Sequence, residues 1–274
     1  MLLLYLSALA LSPAAHAEHF ECQRIPNWEE VLEKQPRWIV IGEIHGSNEV
    51  PDTFADAVCL TAQSHSVVVA VEQPTSDQLA IDAFMQSDGG AAAQRAFLKA
   101  QMWNSDMKDG RSSEAYFRLF ESLRRMLAAG LIEKVVAFQP STFTTQPTPA
   151  EYEQAMSEIL IAAAQPDITV IALVGNVHAM RTEVPWQPTY IPMAGRLPRE
   201  ETVSLDTSAR GGAAWNCQGA DKCGPQSSPA AVPGEQVVGV ELDAEEGRYS
   251  GTLYLGVPTT ASPPKSGVEH ARPV

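Results

Sequence analysis

Four apolar runs without polar alternation punctuate the chain, and each stops at a glycine or at a polar, chemically active side chain. Trp38–Ile41, Val67–Val71, Lys134–Phe138 and Ile168–Val174 each read as a short strand buried on both faces. Between them, apolar residues recur at helical spacing. Phe54, Val58 and Leu60 do so within 49–63, and 76–86 and 91–102 read as helices parted by Asp88-Gly89-Gly90. The clearest helix is 113–129, with Ser112 or Ser113 as its cap and Gly130 as its stop. Tyr116, Phe117, Phe120, Leu123 and Leu127 form its apolar stripe. A further amphipathic helix covers 149–164. Strands alternating with helices in this way predict crossover connections, and so an α/β fold with a mostly parallel central sheet flanked by helices.

After His178 the pattern changes. Thr202–Leu205 reads as another strand, and 211–235 as a loop-rich stretch of Cys, Gly and Pro. Val237–Leu242 and Tyr249–Val257 read as a hairpin around Glu245-Glu246-Gly247. From Pro258 the Pro, Thr and Ser content predicts a disordered tail, 258–274. At the other end, Leu2–Leu11 is apolar except for Tyr5 and Ser7, and Ala15-His16-Ala17 has the form of a cleavage site. Residues 1–17 are therefore expected to be a signal peptide, with one α/β domain over 18–257 and a periplasmic or secreted location. The apolar stretch is too short to span a bilayer, and His19-Phe20-Glu21 before Cys22 is not a lipidation context, so no stable membrane anchor is expected.

Export makes cysteine pairing the expected state. Cys217 and Cys223 flank the loop Gln218–Lys222, and Cys22 and Cys59 remain as the second pair, although four cysteines allow three connectivities. The formal net charge of −14 argues against nucleic acid and anionic membrane surfaces as partners. An anionic ligand would need a local base such as Arg111 or Arg181.

Chemistry concentrates at the strand ends. The first run opens into Gly42-Glu43-Ile44-His45, the second into Glu72-Gln73-Pro74, the third into Gln139-Pro140-Ser141 and the fourth into Gly175-Asn176-Val177-His178. In a parallel sheet these ends share one edge, where ligands bind in open α/β folds. Glu43, His45, Glu72 and His178 are the candidate catalytic residues. Glu49, Asn176, Arg181, Gln139 and Trp103 are candidate lining residues. Two carboxylates and two imidazoles suit either of two uses. They can hold one divalent transition metal, or they can activate water without one, a histidine acting as base and a glutamate orienting it. Each residue also has a plainer reading: Glu43, Glu49 and Glu72 as helix caps, the histidines as loop residues, Trp103 and Tyr116 as core aromatics. No G-x-S-x-G elbow surrounds Ser141, and no phosphate-binding glycine loop is present.

GEIHGSNE, VVVAVEQP and LVGNVHA together resemble the superfamily that joins erythromycin esterase-like enzymes, ChaN-like haem-binding lipoproteins and the TraB/Tiki group. AYFRLFESLRRMLAAGLIEKVVAFQP followed by GNVHAMRTEVP is most similar to the ChaN-like branch. The resemblance spans 38–205 and matches Glu43 and His45 to the first motif, Glu72 to the second and His178 to the last. It implies, by branch, a histidine base that activates water, a divalent metal for peptide hydrolysis, or a haem pocket. Unlike esterase-like sequences, this chain has one residue between Glu43 and His45, and it lacks both a lipoprotein cysteine and a tyrosine haem-ligand motif. The expected function is hydrolysis of an ester or amide bond in a small molecule or peptide, with His45 as base. Glu43 and Glu72 would orient it or bind a metal, and His178 would stabilise developing charge. The alternatives are a non-catalytic haem- or metal-binding protein and a family member with a structural role only.

Overall fold

The computed structural model describes residues 20–265 except 107, 142, 218–221, 231–236, 245 and 246. The expected signal peptide lies outside them. A short helix α1 (Trp28–Glu33), not expected from the periodicity, leads into β1 (Trp38–Glu43), α2 (Glu49–Ala62) and β2 (Ser66–Pro74). Then come α3 (Gln78–Met85), α4 (Ala91–Phe97), α5 (Gln101–Asn104) and α6 (Glu114–Ala128). The chain continues through β3 (Lys134–Gln139), α7 (Pro149–Ala163), β4 (Ile168–Gly175) and β5 (Thr202–Ser208). It closes with β6 (Arg210–Cys217), β7 (Cys223–Ala230), β8 (Gly239–Leu242) and β9 (Gly251–Tyr254).

Seven strands form one sheet in the order β3-β2-β4-β1-β5-β9-β8. All neighbours are parallel except the β8–β9 pair. The two faces of β1 serve two cores, which is why its sequence shows no alternation. Ile39 and Ile41 join Val69, Leu173 and Phe120 on one face, while Trp38 and Val40 join Ala172, Met156 and Leu160 on the other. β1 lies between β4 and β5, so the chain reverses its direction of growth next to the end that carries Glu43 and His45. That reversal opens a crevice at the carboxyl edge.

Two segments depart from the sequence reading. The stretch expected as loop folds as an antiparallel hairpin, β6–β7, whose strands meet at the Cys217–Cys223 disulfide. Its Gly, Ala, Ser and Pro content gave no strand alternation, so pairing and not propensity makes it a ribbon. The segment from Pro258 is not free as far as Lys265. Ala261 bridges Ser47, Ser262 is fully buried, and Lys265 pairs with Glu114 at 2.9 Å. The rest of the expected tail lies outside the described residues. Cys22 pairs with Cys59, closing a 37-residue separation. No helix among the described residues is long and apolar enough to cross a membrane.

Candidate functional site

Strand alternation places Glu43 on the α6 face of β1, where it is 1% exposed. Its Oε1 accepts the Tyr116 hydroxyl and lies 2.9 Å from Nδ1 of His45. Its Oε2 is buried with no hydrogen-bond partner among the described residues. The other ring nitrogen of His45, Nε2, lies 3.4 Å from Oε2 of Glu72. Glu72 leaves β2 at a bulge, and two further donors hold it. Arg111 Nη1 donates to Oε1 at 2.7 Å, and the Gly175 N–H donates to Oε2 at 2.7 Å.

His178 sits on the turn after β4. Its Nδ1 lies 2.7 Å from Oε1 of Glu153, which α7 supplies from a fully buried position. A capping box between Thr148 and Glu151, with Pro149 in the first turn, fixes the start of that helix and therefore the register of Glu153. The same Glu153 oxygen accepts the Tyr190 hydroxyl, and its Oε2 accepts the Met193 N–H at 2.7 Å. Each histidine thus has Nδ1 on a buried carboxylate oxygen shared with a tyrosine hydroxyl. A β-carbon placed on Gly175 would lie 3.1 Å from His45 Nε2, 3.5 Å from His178 Cδ2 and 3.6 Å from Glu72 Oε2. Three functional groups therefore surround one small space that glycine leaves open.

Burial opposes charge on His45, but Glu72 and Glu43 outweigh it and raise the pKa from 6.5 to about 10. Glu72 faces the same desolvation, which His45, Arg111 and His178 overcome, holding its carboxyl far below the usual range. Burial also opposes the charge on His178, yet the hydrogen bond it donates to Glu153 and the charge of Glu72 raise its pKa. Tyr116 is pushed well above 10 by burial and by Glu43, so its hydroxyl stays a donor. The resting centre at neutral pH is an imidazolium, a carboxylate and a guanidinium in contact.

The structure brings Glu43, His45, Glu72 and His178 together and distributes the other candidates differently. Gln139 borders a cavity of about 260 Å³ beside Arg111 and lies close enough to Tyr152 to influence its hydroxyl. Asn176 contributes backbone: its N–H donates to the Glu43 carbonyl, and its own carbonyl accepts the Tyr249 hydroxyl. Trp103 does not line the site. It is 1% exposed and packs edge-on against Phe97, Phe117 and Phe120 in the core. Glu49 accepts two bonds from Thr260, and Arg181 donates to Ser250 in a separate hollow beside Thr202. Sequence reasoning missed Glu153, Tyr190, Tyr152 and Asp109, and it read Tyr116 as core. Glu153 carried one signal, an acid in register with Met156 and Leu160 on the buried stripe of α7.

Coordination of a divalent metal needs several free lone pairs aimed at one point. Here both Glu72 oxygens already accept donors, whereas a carboxylate on Nδ1 of each histidine orients the ring and leaves Nε2 as the nitrogen that could face a ligand. No group of three or more His, Cys, Asp or Glu among the described residues is arranged to hold a metal ion. The adjoining cavity is lined by Gln73, Pro74, Gln101, Met102, Ser105, Asp109, Arg111, Ser112 and Gln139, a mixture of apolar and polar groups.

No family model and no curated protein sequence matches the chain. Its structure is similar to that of a point mutant of erythromycin esterase EreC in its open conformation, with a TM-score of 0.61 at 10% identity over 87% of this chain and 90% of that one. It is also similar to a succinoglycan biosynthesis protein, with a TM-score of 0.65 at 10% identity over 89% and 93% of the two chains. A protein from Bacillus cereus gives 0.57 at 10% identity over 89% and 94%. The chain has the fold that these proteins share, an erythromycin esterase among them, and it is the architecture implied by the strand-end motifs.

Proposed function

We propose that the protein hydrolyses an ester or amide bond by attack of an activated water. The observation that carries this reading is the convergence of both imidazoles and Glu72 on the space over Gly175. A carboxylate on Nδ1 fixes the tautomer of a neutral imidazole and stabilises the imidazolium that forms when Nε2 takes a proton. The motif resemblance implies His45 as that base, but the charges assign it another part. With a pKa of about 10, His45 stays protonated through the neutral range. In the proposed reaction it stabilises the oxyanion, and His178, oriented by Glu153, accepts the proton of water and returns it to the leaving group. Arg111 keeps Glu72 ionised, and Glu72 holds the His45 charge in place. The structural similarity to an erythromycin esterase agrees with a hydrolase-like scaffold. The two disulfides suit an oxidising compartment, and we place the protein in the periplasm or outside the cell.

The test is turnover of an ester and amide panel by the protein and its variants. His178→Ala and His45→Ala are each expected to lower kcat by about 100-fold or more while circular dichroism stays native. The wild-type pH profile is expected to rise as His178 deprotonates above 6.5 and to fall as His45 loses its proton near 10. Full turnover by either variant would remove the assignment. A Soret band on haem addition, with no turnover of any substrate, would favour a binding protein instead.

A further inference from the structure

The cavity of about 260 Å³ adjoins the centre through two shared residues. Arg111 forms one wall and bonds Glu72. Gln139 forms another and neighbours Tyr152, whose ring centroid lies 6.2 Å from that of His178. Phe143, 39% exposed, extends this wall with its ring 6.3 Å from Tyr152. A ligand seated in the cavity can therefore reach across Gln139 along an aromatic face to the space over Gly175.

The lining states what kind of group fits. Every guanidinium nitrogen of Arg111 is engaged: Nε and Nη2 by Asp109, and Nη1 by Glu72. No cation in this wall is left for a phosphate, sulfate or carboxylate, and Asp109 and Glu72 repel one. Alkyl chains are disfavoured for a different reason. Pro74 and Met102 offer apolar surface, as the face of a sugar ring also needs, but an alkyl chain would strip water from the carboxamides and hydroxyls beside them without replacing their hydrogen bonds, at about 1–3 kcal/mol for each group. Gln73 spends its Nε2 on the Arg111 carbonyl, and Gln101 spends its Oε1 on Ser76. Among the described residues this leaves Oε1 of Gln73 as an acceptor and Nε2 of Gln101 as a donor without partners. A hydroxyl is both donor and acceptor and answers such a pair. A peptide would present its amides along an extended edge, whereas these groups line one compact hollow.

We infer that the cavity and the Tyr152–Phe143 wall receive an uncharged sugar unit, making the substrate an acylated neutral saccharide. The inference rests on the hydrolytic reading for the reaction but not for the binding, and the experiment separates the two. Binding of methyl glucoside and of N-acetylglucosamine disaccharide is measured by calorimetry. Turnover is measured on acetylated methyl glucoside, p-nitrophenyl acetate, p-nitrophenyl decanoate and an acetylated dipeptide amide. The expected result is saccharide binding and preferred turnover of the acetylated sugar. Gln101→Ala is expected to raise its KM about tenfold, the loss of one hydrogen bond. Saccharide binding with no turnover of any ester would leave the inference standing and overturn the hydrolytic reading. Turnover that favours the decanoate or the peptide, or that shows no sugar preference and no Gln101→Ala effect, would overturn the inference and leave the reading intact.

Discussion

Gly175 is the residue on which the proposed chemistry turns. Its backbone lies outside the left-handed region, so Gly175→Ala adds a methyl group and not backbone strain. That methyl would stand 3.1 Å from His45 Nε2, in the space where a reacting water must sit. Gly175→Ala is expected to keep the melting temperature within a few degrees and to lower kcat by about 100-fold or more. A fully active alanine variant would move the chemistry elsewhere. At this scale the sequence showed one histidine–carboxylate pair whole and half of the other. Glu43 and His45 are neighbours along one strand end, so a single motif displays them. Glu153 meets His178 only because α7 packs back against the turn after β4, and nothing within a few residues of His178 announces it. Arg111 and Asp109 sit on an irregular turn before α6, where no periodicity marks a residue as inward-facing.

At the scale of elements, the β6–β7 hairpin does work that its composition hid. The carbonyl of Gly46 accepts the N–H groups of Trp215 and of Ser262, so one turn beside His45 is pinned by two distant segments. Gly46 holds φ at 94°, and a β-carbon there would lie 1.9 Å from the Trp215 carbonyl oxygen. Gly110 presses on the same turn, 2.3 Å from the Gly46 nitrogen by the same construction. Cys217 Sγ also contacts the Lys108 carbonyl at 3.3 Å, tying the hairpin to the loop that carries Asp109 and Arg111. The two disulfides should therefore act differently. By loop-closure entropy, removing Cys22–Cys59, with its separation of 37, costs about 4 kcal/mol, and removing Cys217–Cys223, with its separation of 6, about 2 kcal/mol. Denaturant titration of the paired serine variants checks that order. The Cys217→Ser/Cys223→Ser protein is expected to lose activity well before it loses structure, whereas the Cys22→Ser/Cys59→Ser protein loses both together. The four parallel strands and their helices were legible because buried strands must be apolar on both faces. The hairpin was not, because its strands are ordered by backbone contact with the site loops.

For the molecule as a whole, the buried charges couple stability to pH. The folded protein holds the His45 proton up to about 10, whereas the unfolded chain releases it near 6.5. Between those values the native state binds more protons, so this contribution is full below 6.5 and is lost as pH rises to about 10. Glu72 acts in the opposite sense: its lowered pKa gives a contribution present above 4.5 and lost as pH falls below it. Asp206, pushed up to about 6 mainly by burial, adds a smaller decline between 3.8 and 6. Denaturation midpoints of the wild type and His45→Gln across pH 5–10 are expected to converge toward pH 10, because the substitution removes a stabilisation that the wild type itself loses there. A gap that stays constant over this range would show that the His45 charge is not held by its two carboxylates.

The double pinning of Gly46 bears on the order of events during synthesis. The turn that presents His45 is made well before its two tethers, which come from residues 215 and 262. Ribosome-bound or truncated forms ending before residue 210 would carry both imidazoles and both strand-end acids, yet hold the first of those rings on an untethered turn. Potency would then arrive only with those two tethers, after β1 to β4 have been made.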